Sequence, residues 1–98
     1  MITKAEILDK LRANKSDIQK KYPVASIALF GSFAREEQTS ESDIDILIDL
    51  NGPMGWDIVD VQESFEAIFP EKRIDMVTWG GLKNSRYRPY IEKDLIYV

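Results

Sequence analysis

The first thirty residues show the apolar spacing of an amphipathic helix and then a short apolar run. Four apolar residues recur near helical spacing: Ile7, Leu8, Leu11 and Ile18. Thr3 and Glu6 stand at the spacing of a capping box, so we predict a helix over about residues 4–20, ending before Pro23. Residues 25–30 are apolar and lead directly into a glycine, which is typical of a buried strand.

The rest of the chain continues this alternation between helical and strand-like spacing. We predict, in order, a turn leading into a short helix at 32–37, a strand at 43–50, a helix at 56–69, a strand at 73–78, a helix over 82–93 that Pro89 must start, kink or interrupt, and a short apolar tail at 95–98. The predicted fold class is α/β (α+β), a single domain over residues 1–98 with a small sheet of at least three strands flanked by helices.

The second predicted strand carries acids on one face only. Because side chains in a strand alternate with period two, Asp43, Asp45 and Asp49 share a face with Leu47, whereas the isoleucines between them face the core. Two carboxylates at this spacing repel each other, and a divalent cation between them removes the conflict. Oxygen ligands suit Mg²⁺ or Mn²⁺. The plainer interpretation is a half-exposed strand with a solvated face.

Two further features extend this candidate site. If the strand at 73–78 neighbours the acidic strand, Asp75 joins Asp43 and Asp45 on one face. Gly31-Ser32 follows the first strand directly, and a glycine before a helix start lets backbone amides approach a phosphate. Taken alone, the Gly31-Ser32 sequence is more typical of an ordinary strand-to-helix turn than of a phosphate-binding site.

Composition removes several other kinds of chemistry. The chain has no cysteine and no histidine, which excludes disulfides, thiolate metal sites and Ser-His or Cys-His pairs. No apolar run reaches the roughly 20 residues that cross a bilayer, and the start lacks the apolar core of a signal peptide, so we expect no membrane association and a cytoplasmic location. The net charge of −4 argues against nucleic acid as the main partner.

The combination of motifs is more specific than either part. Gly31-Ser32, ten intervening residues and Asp43-x-Asp45 resemble the signature of the polymerase-beta-type nucleotidyltransferase superfamily. The stretches 29–35, 42–48 and 73–78 are similar to its small stand-alone branch, the minimal nucleotidyltransferases (MNT), and the resemblance extends from about residue 5 to the end. Glu36 is a departure, since glycine is common there in this branch, and a bulkier side chain could narrow the turn after Arg35.

The resemblance implies a palm fold and a set of site residues. Gly31 and Ser32 would bind a nucleoside triphosphate, with ATP as the expected substrate. Asp43, Asp45 and Asp75 would be catalytic and would ligate two Mg²⁺ ions, with Mn²⁺ as the alternative. Arg35 either reaches a phosphate or pairs with nearby glutamates, and the two interpretations are evenly balanced.

The resemblance also implies a partner. Members of this branch typically stand beside a helical HEPN-domain ribonuclease toxin, and they act as antitoxins that transfer AMP from ATP to the toxin, commonly to a tyrosine hydroxyl. Two other functions stay open: a binding module that masks its partner without catalysis, and a nucleotidyltransferase for a small molecule such as an aminoglycoside. Since 98 residues leave no room for an acceptor domain, we expect the acceptor or the rest of its pocket to come from a partner, or the chain to self-associate.

Some polar and aromatic residues fit either a structural or a functional role. A basic cluster with two tyrosines lies near the end of the chain: Lys83, Arg86, Tyr87, Arg88 and Tyr90. A solvated helix face is its plainer interpretation, and contact with a nucleotide or an acidic partner is the alternative. We expect Trp56 and Trp79 to pack in the core or at its rim rather than to stack on a base.

Overall fold

The computed structural model describes residues 2–98, which form a four-stranded mixed sheet flanked by helices. The elements, in chain order, are α1 (Lys4–Lys21), β1 (Val24–Phe30), α2 (Gly31–Ala34), β2 (Ile44–Leu50), α3 (Asp57–Ile68), β3 (Ile74–Thr78), α4 (Trp79–Leu82), α5 (Arg88–Glu92) and β4 (Ile96–Tyr97). The sheet order is β3-β2-β1-β4; β2 and β3 are parallel, and β1 is antiparallel to β2 and β4. The predicted fold class is confirmed.

Helix α1 begins with the Thr3 half of the predicted capping box, because the Glu6 carboxylate meets the Thr3 hydroxyl and not a backbone amide. The Thr3 hydroxyl oxygen accepts a hydrogen bond from the Glu6 amide at 3.2 Å, and the same hydroxyl donates to Glu6 Oε1 at 3.2 Å. The helix ends at Lys21, and Pro23 follows the C-cap Tyr22. Its apolar side therefore starts at a fixed point and packs on the sheet.

The main core lies between α1, α3 and one face of the sheet. That face supplies fully buried side chains from alternating positions of the two central strands: Ile27, Leu29, Ile44, Ile46 and Ile48. Burying one such side chain stabilises the fold by roughly 1.5–3 kcal/mol. This layer sets the registers of β1 and β2, and so turns the other side chains of β2 to the opposite face.

A second, smaller apolar cluster covers part of the opposite face. It joins Ala28, Phe30 and Leu47 of the sheet to Leu82 of α4. Ile91 of α5 packs against its edge. On the acidic face of β2, Leu47 in the middle is therefore buried, whereas Asp45 near the start of the strand and Asp49 near its end stay partly exposed.

Three local predictions need correction or more detail. The helix predicted over 82–93 is two short helices: α4 already begins at Trp79, and Pro89, expected to start, kink or interrupt the helix, lies in the first turn of α5, where its missing amide costs nothing. The apolar tail forms β4 and pairs with β1. Trp56 does not pack in the core: it is 89% exposed at the turn before α3.

Candidate active site

The strand order brings two acidic residues face to face. Asp45 of β2 lies directly opposite Asp75 of β3 in the parallel register. Asp43 comes immediately before β2, two residues from Asp45 and thus on the same side of the chain. The sheet therefore gathers the three predicted acids near the start of β2. The sequence predicted this arrangement only on the condition that β3 neighbours β2.

The electrostatics of this cluster centre on Asp45. Partial burial raises the pKa of Asp45 to about 7, and the charge of Asp75, a hydrogen bond with that carboxyl and the charge of Asp43 add to the effect. Arg35 opposes them weakly. In the metal-free protein Asp45 is thus divided between its neutral and charged forms near neutral pH.

Gly31 fits tightly against the same carboxylate. Its φ is +78°, in the left-handed region, and a Cβ built there would lie 2.9 Å from the Cγ of Asp45 and closer still to Oδ2. Glycine is therefore required for two reasons at once, the backbone conformation and the lack of space. The start of α2 lies directly beside Asp45, with the Gly31-Ser32 amides at the helix N-terminus, where they have no intrahelical partner.

A Schellman motif closes α2. The Glu37 amide donates to the Ser32 carbonyl at 2.9 Å, and the Glu36 amide donates to the Phe33 carbonyl at 3.2 Å. This motif needs a left-handed residue after the C-cap, and Glu36 supplies it with a φ of 58°. Glu36 thus occupies the conformation for which glycine is favoured, so the turn is closed without being narrowed by the larger side chain.

Arg35, the C-cap of α2, is held by two carboxylates. Its Nη1 donates to Asp94 Oδ2 at 2.5 Å, and its Nε donates to Glu37 Oε2 at 3.3 Å. The Asp94 side chain is only 8% exposed, and the two acids together raise the pKa of the guanidinium. The pairing with Glu37 was one of the two interpretations from sequence. The Asp94 contact was missed, because no local pattern links residues 59 positions apart.

The donor set suits a hard divalent cation. All three side chains offer oxygen only, and the crowding that keeps Asp45 partly protonated is relieved when a cation replaces the proton. Within residues 2–98 no three such side chains already lie close enough together to enclose an ion. Asp45 and Asp75 form the closer pair, and Asp43 exerts the weaker repulsion.

Cavities around the sheet were not visible from the sequence. The largest described one, of about 540 Å³, lies between α1 and α3 and is remote from the three acids. A small one of about 170 Å³ is lined by Asp43 together with Lys72 and Arg73, which precede β3. Lys72 Nζ also donates to the Ser40 carbonyl at 2.9 Å, so it fixes the loop before Asp43. The acids, rather than cavity size, mark the site.

A third cavity, of about 380 Å³, lies beside the predicted basic cluster. Val77, Leu82 and Ile91 are among its lining residues. Tyr87, which lines it, and the nearby Tyr90 are 58% and 66% exposed. The basic cluster is solvent-facing, but it runs from the end of α4 to α5 and does not form a single helix face. The stacking of Arg88 over the ring of Trp79, 4.8 Å from its centroid, agrees with the expected rim position of this tryptophan.

Comparison with known proteins relates these features to a family. Residues 11–98 match the model of the nucleotidyltransferase domain. A provisionally named protein adenylyltransferase of Methanocaldococcus jannaschii is 42% identical over 98 residues, covering the whole of both chains. The protein adenylyltransferase MntA of Thermococcus cleftensis is 31% identical over 99 residues, covering all of this chain and 98% of that relative.

Two solved structures share the fold at low sequence identity. One is a mutant of the MntA–HepT toxin–antitoxin complex, with a TM-score of 0.57 and 15% identity over 98% of this chain and 71% of that one. The other is a nucleotidyltransferase from Sulfolobus solfataricus, with a TM-score of 0.56 and 20% identity over 96% of this chain and 80% of that one. Together with the family match and the acidic face beside the glycine turn, these similarities show that the chain belongs to the nucleotidyltransferase domain family and is a nucleotidyltransferase.

Proposed function

We propose that this nucleotidyltransferase moves AMP from ATP to a tyrosine hydroxyl of a helical HEPN toxin in the cytoplasm and thereby acts as an antitoxin. The observation that carries the proposal is the meeting of Asp45, Asp75 and Gly31 at one end of the acidic face. The names of the relatives support the transferred group, since the Thermococcus relative is called a protein adenylyltransferase. The toxin–antitoxin title of one structural neighbour supports the kind of partner.

Gly31 and Ser32 are proposed to bind the triphosphate. The missing Cβ of Gly31 lets the Asp45 carboxylate lie directly against this turn, and the amides at the start of α2, which lack intrahelical partners, can donate to phosphate oxygens beside it. The Ser32 hydroxyl adds one donor. Arg35 lies at the other end of the same helix, where Asp94 holds it. It positions this turn, and direct contact with a phosphate stays a prediction.

Asp43, Asp45 and Asp75 are proposed to hold two Mg²⁺ ions, with Mn²⁺ as the alternative. Bound there, the ions would stabilise the attacking and leaving oxygens of an in-line displacement at the α-phosphate. Asp45 is affected by the charges of both other acids and must lose its proton before it can act as a ligand. Asp75, exposed at the β3 edge, is the carboxylate best placed to take the proton of the attacking hydroxyl.

Protection of cells from the toxin tests whether the antitoxin needs catalysis. We expect Asp43→Asn/Asp45→Asn to abolish protection when it is co-expressed with the HEPN protein encoded beside it, while still binding that protein in a pull-down. Asp49→Asn is the matched control. Asp49 lies on the same acidic face but farther along β2, opposite Ser26 of β1 in the strand register and away from Asp75. Full protection by the double variant would instead establish neutralisation by masking.

A further inference from the structure

The cavity beside β3 lies on the opposite side of the acidic centre from the Gly31-Ser32 turn. The turn follows β1, which flanks β2 on one side, and the cavity takes Val77 and Thr78 from β3, which flanks β2 on the other. Val77 stands two residues after Asp75 on the same strand face, about 7 Å along the chain. Asp75 does not line the cavity, but it lies one step along the same strand face from the lining residue Val77.

In-line transfer assigns opposite sides to the two reactants. The attacking oxygen and the leaving pyrophosphate must lie on opposite sides of the α-phosphate. If the triphosphate is bound at the turn beside β1, the acceptor has to approach from the β3 side. The cavity of about 380 Å³ is the space available there, and it falls within the usual range for ligand pockets.

The lining favours a flat, mostly apolar side chain with one polar end. Val77, Leu82 and Ile91 supply apolar surface, and the last two also pack in or against the second apolar cluster, so the walls are fixed. Three lining residues carry a hydroxyl: Ser85, Tyr87 and Thr78. The Thr78 hydroxyl already accepts a hydrogen bond from the Gly81 amide at 3.2 Å. A phenol fills such a space better than a serine or threonine side chain does.

The surface around the cavity is basic although the chain is acidic. Residues 83–93 hold four of the 13 lysines and arginines but only one of the 17 acids. Arg88 is paired with Glu92 at 2.7 Å, but within residues 2–98 the exposed Lys83, Arg86 and Lys93 form no ion pair. Unpaired cations around an apolar pocket complement acidic residues on either side of an apolar side chain.

From these observations we infer that the cavity between β3, α4 and α5 is the acceptor pocket, and that it takes an aromatic hydroxyl side chain from an acidic segment of the partner protein. The inference rests on the proposed function, because it uses the position of the triphosphate to locate the acceptor. It adds the residues that bind the acceptor and the charge of the segment that presents it.

Peptide binding tests the inference without any need for catalysis. The probes are three short fluorescein-labelled peptides: a tyrosine flanked by glutamates, a tyrosine flanked by lysines, and an alanine flanked by glutamates. Anisotropy should show the first bound at least about tenfold more tightly than either of the others, a difference of about 1.4 kcal/mol. Equal binding of the three peptides would overturn the inference.

Charge reversal tests the basic surface with a matched control. Lys83→Glu/Arg86→Glu should remove the preference for glutamate flanks. Lys20→Glu/Lys21→Glu makes the same change of charge at exposed positions at the end of α1 and should leave it intact. If both variants lose the preference for glutamate flanks equally, the preference depends only on net charge, and the local acceptor surface is refuted.

Filling the pocket separates an acceptor site from a nucleotide site. Ser85→Trp should abolish the advantage of tyrosine over alanine and leave the affinity for Mg²⁺ and a non-hydrolysable ATP analogue unchanged. Tyr87→Ala, at an exposed lining residue, gives a second test with little risk to folding. A parallel loss of ATP-analogue binding would show that the pocket holds the nucleotide. Failure of the wild-type chain to bind the analogue would instead contradict the proposed function.

Discussion

Asp45 lies where its neutral form is favoured until a cation binds. The strand register places it opposite Asp75, and the space beside it is closed by Gly31. The residue therefore couples protonation, metal binding and stability at one position.

The first prediction concerns the pH dependence of stability. The folded-state pKa of Asp45, about 7, lies above its ordinary value of 3.8, so the folded state binds the proton more tightly than the unfolded state. The resulting stabilisation is complete below about pH 4 and is lost as pH rises through about 7. We therefore expect Asp45→Asn to raise the melting temperature in EDTA at pH 8 and to change it little at pH 4.

Added Mg²⁺ should reverse this difference. Because the ion displaces the proton, its stabilising effect on the wild-type chain should grow from pH 6 to pH 8 and should be much smaller in Asp45→Asn. Thermal unfolding followed by circular dichroism, with and without Mg²⁺, measures both effects. A wild-type melting temperature that rises with pH in EDTA, relative to that of the variant, would contradict this account of Asp45.

Glu36 gives a second prediction at the scale of one residue. A φ of 58° destabilises the folded state by about 1–2 kcal/mol for a residue that has a Cβ, but not for glycine. Glycine also makes the unfolded chain more flexible, which offsets part of this gain. We expect Glu36→Gly to be more stable than Glu36→Ala by about 1 kcal/mol in urea unfolding. Both variants lose the exposed contact with Lys4 at 3.6 Å, so the comparison isolates the backbone. Equal stability would mean that the turn relaxes out of the left-handed conformation.

At the scale of elements, the short helix α2 depends on a distant segment. Arg35 joins the end of α2 to Asp94, which precedes β4, and β4 pairs with β1 beside Leu29. The last strand thus helps to hold the turn that is proposed to bind phosphate. We therefore expect Asp94 to act through Arg35 as a positioning residue.

Removing the Asp94 carboxylate tests this link. We expect Asp94→Asn to lower kcat/KM for ATP about tenfold, or about 1.4 kcal/mol of transition-state stabilisation, because Arg35 is then held only by the exposed Glu37. Glu92→Gln, which breaks the exposed pair with Arg88, is the control and should keep full activity. If Arg35 also contacts a phosphate, Arg35→Ala should lose more than Asp94→Asn. Unchanged kinetics in Asp94→Asn would remove its positioning role.

Local patterns predicted elements well and their contacts poorly. The period of two placed Asp43 and Asp45 on one face without knowledge of the fold, because it depends only on backbone geometry. The pairing of Asp45 with Asp75 depends on the strand order. The contact of Arg35 with Asp94 depends on the last segment of the chain packing back beside β1 and α2. Neither contact follows from spacing in the sequence. The predicted interruption of the 82–93 helix at Pro89 follows from its chemistry alone, whereas the start of α4 at Trp79, before two glycines, does not follow from spacing.

At the scale of the whole molecule, one face of the sheet carries the main core and the other carries the candidate active site. One face is filled by α1 and α3 and carries the main core. The other face is only partly covered by α4 and α5, and Asp43, Asp45 and Asp75 lie on its uncovered part, near the start of β2. Among residues 2–98 no helix is long and apolar enough to span a membrane. Stability and the candidate chemistry are therefore separated across the sheet, and acid-to-amide variants of the site should fold.

Transfer of the α-phosphate label tests the central claim most directly. The chain is incubated with Mg²⁺, its HEPN partner and ATP labelled at either the α- or the γ-phosphate. The account predicts that the partner is labelled from α-labelled ATP only, that Asp43→Asn/Asp45→Asn lowers the rate at least about a thousandfold, or about 4 kcal/mol, and that Asp49→Asn does not. Labelling from γ-labelled ATP, or full α-labelling by the double variant, would contradict it.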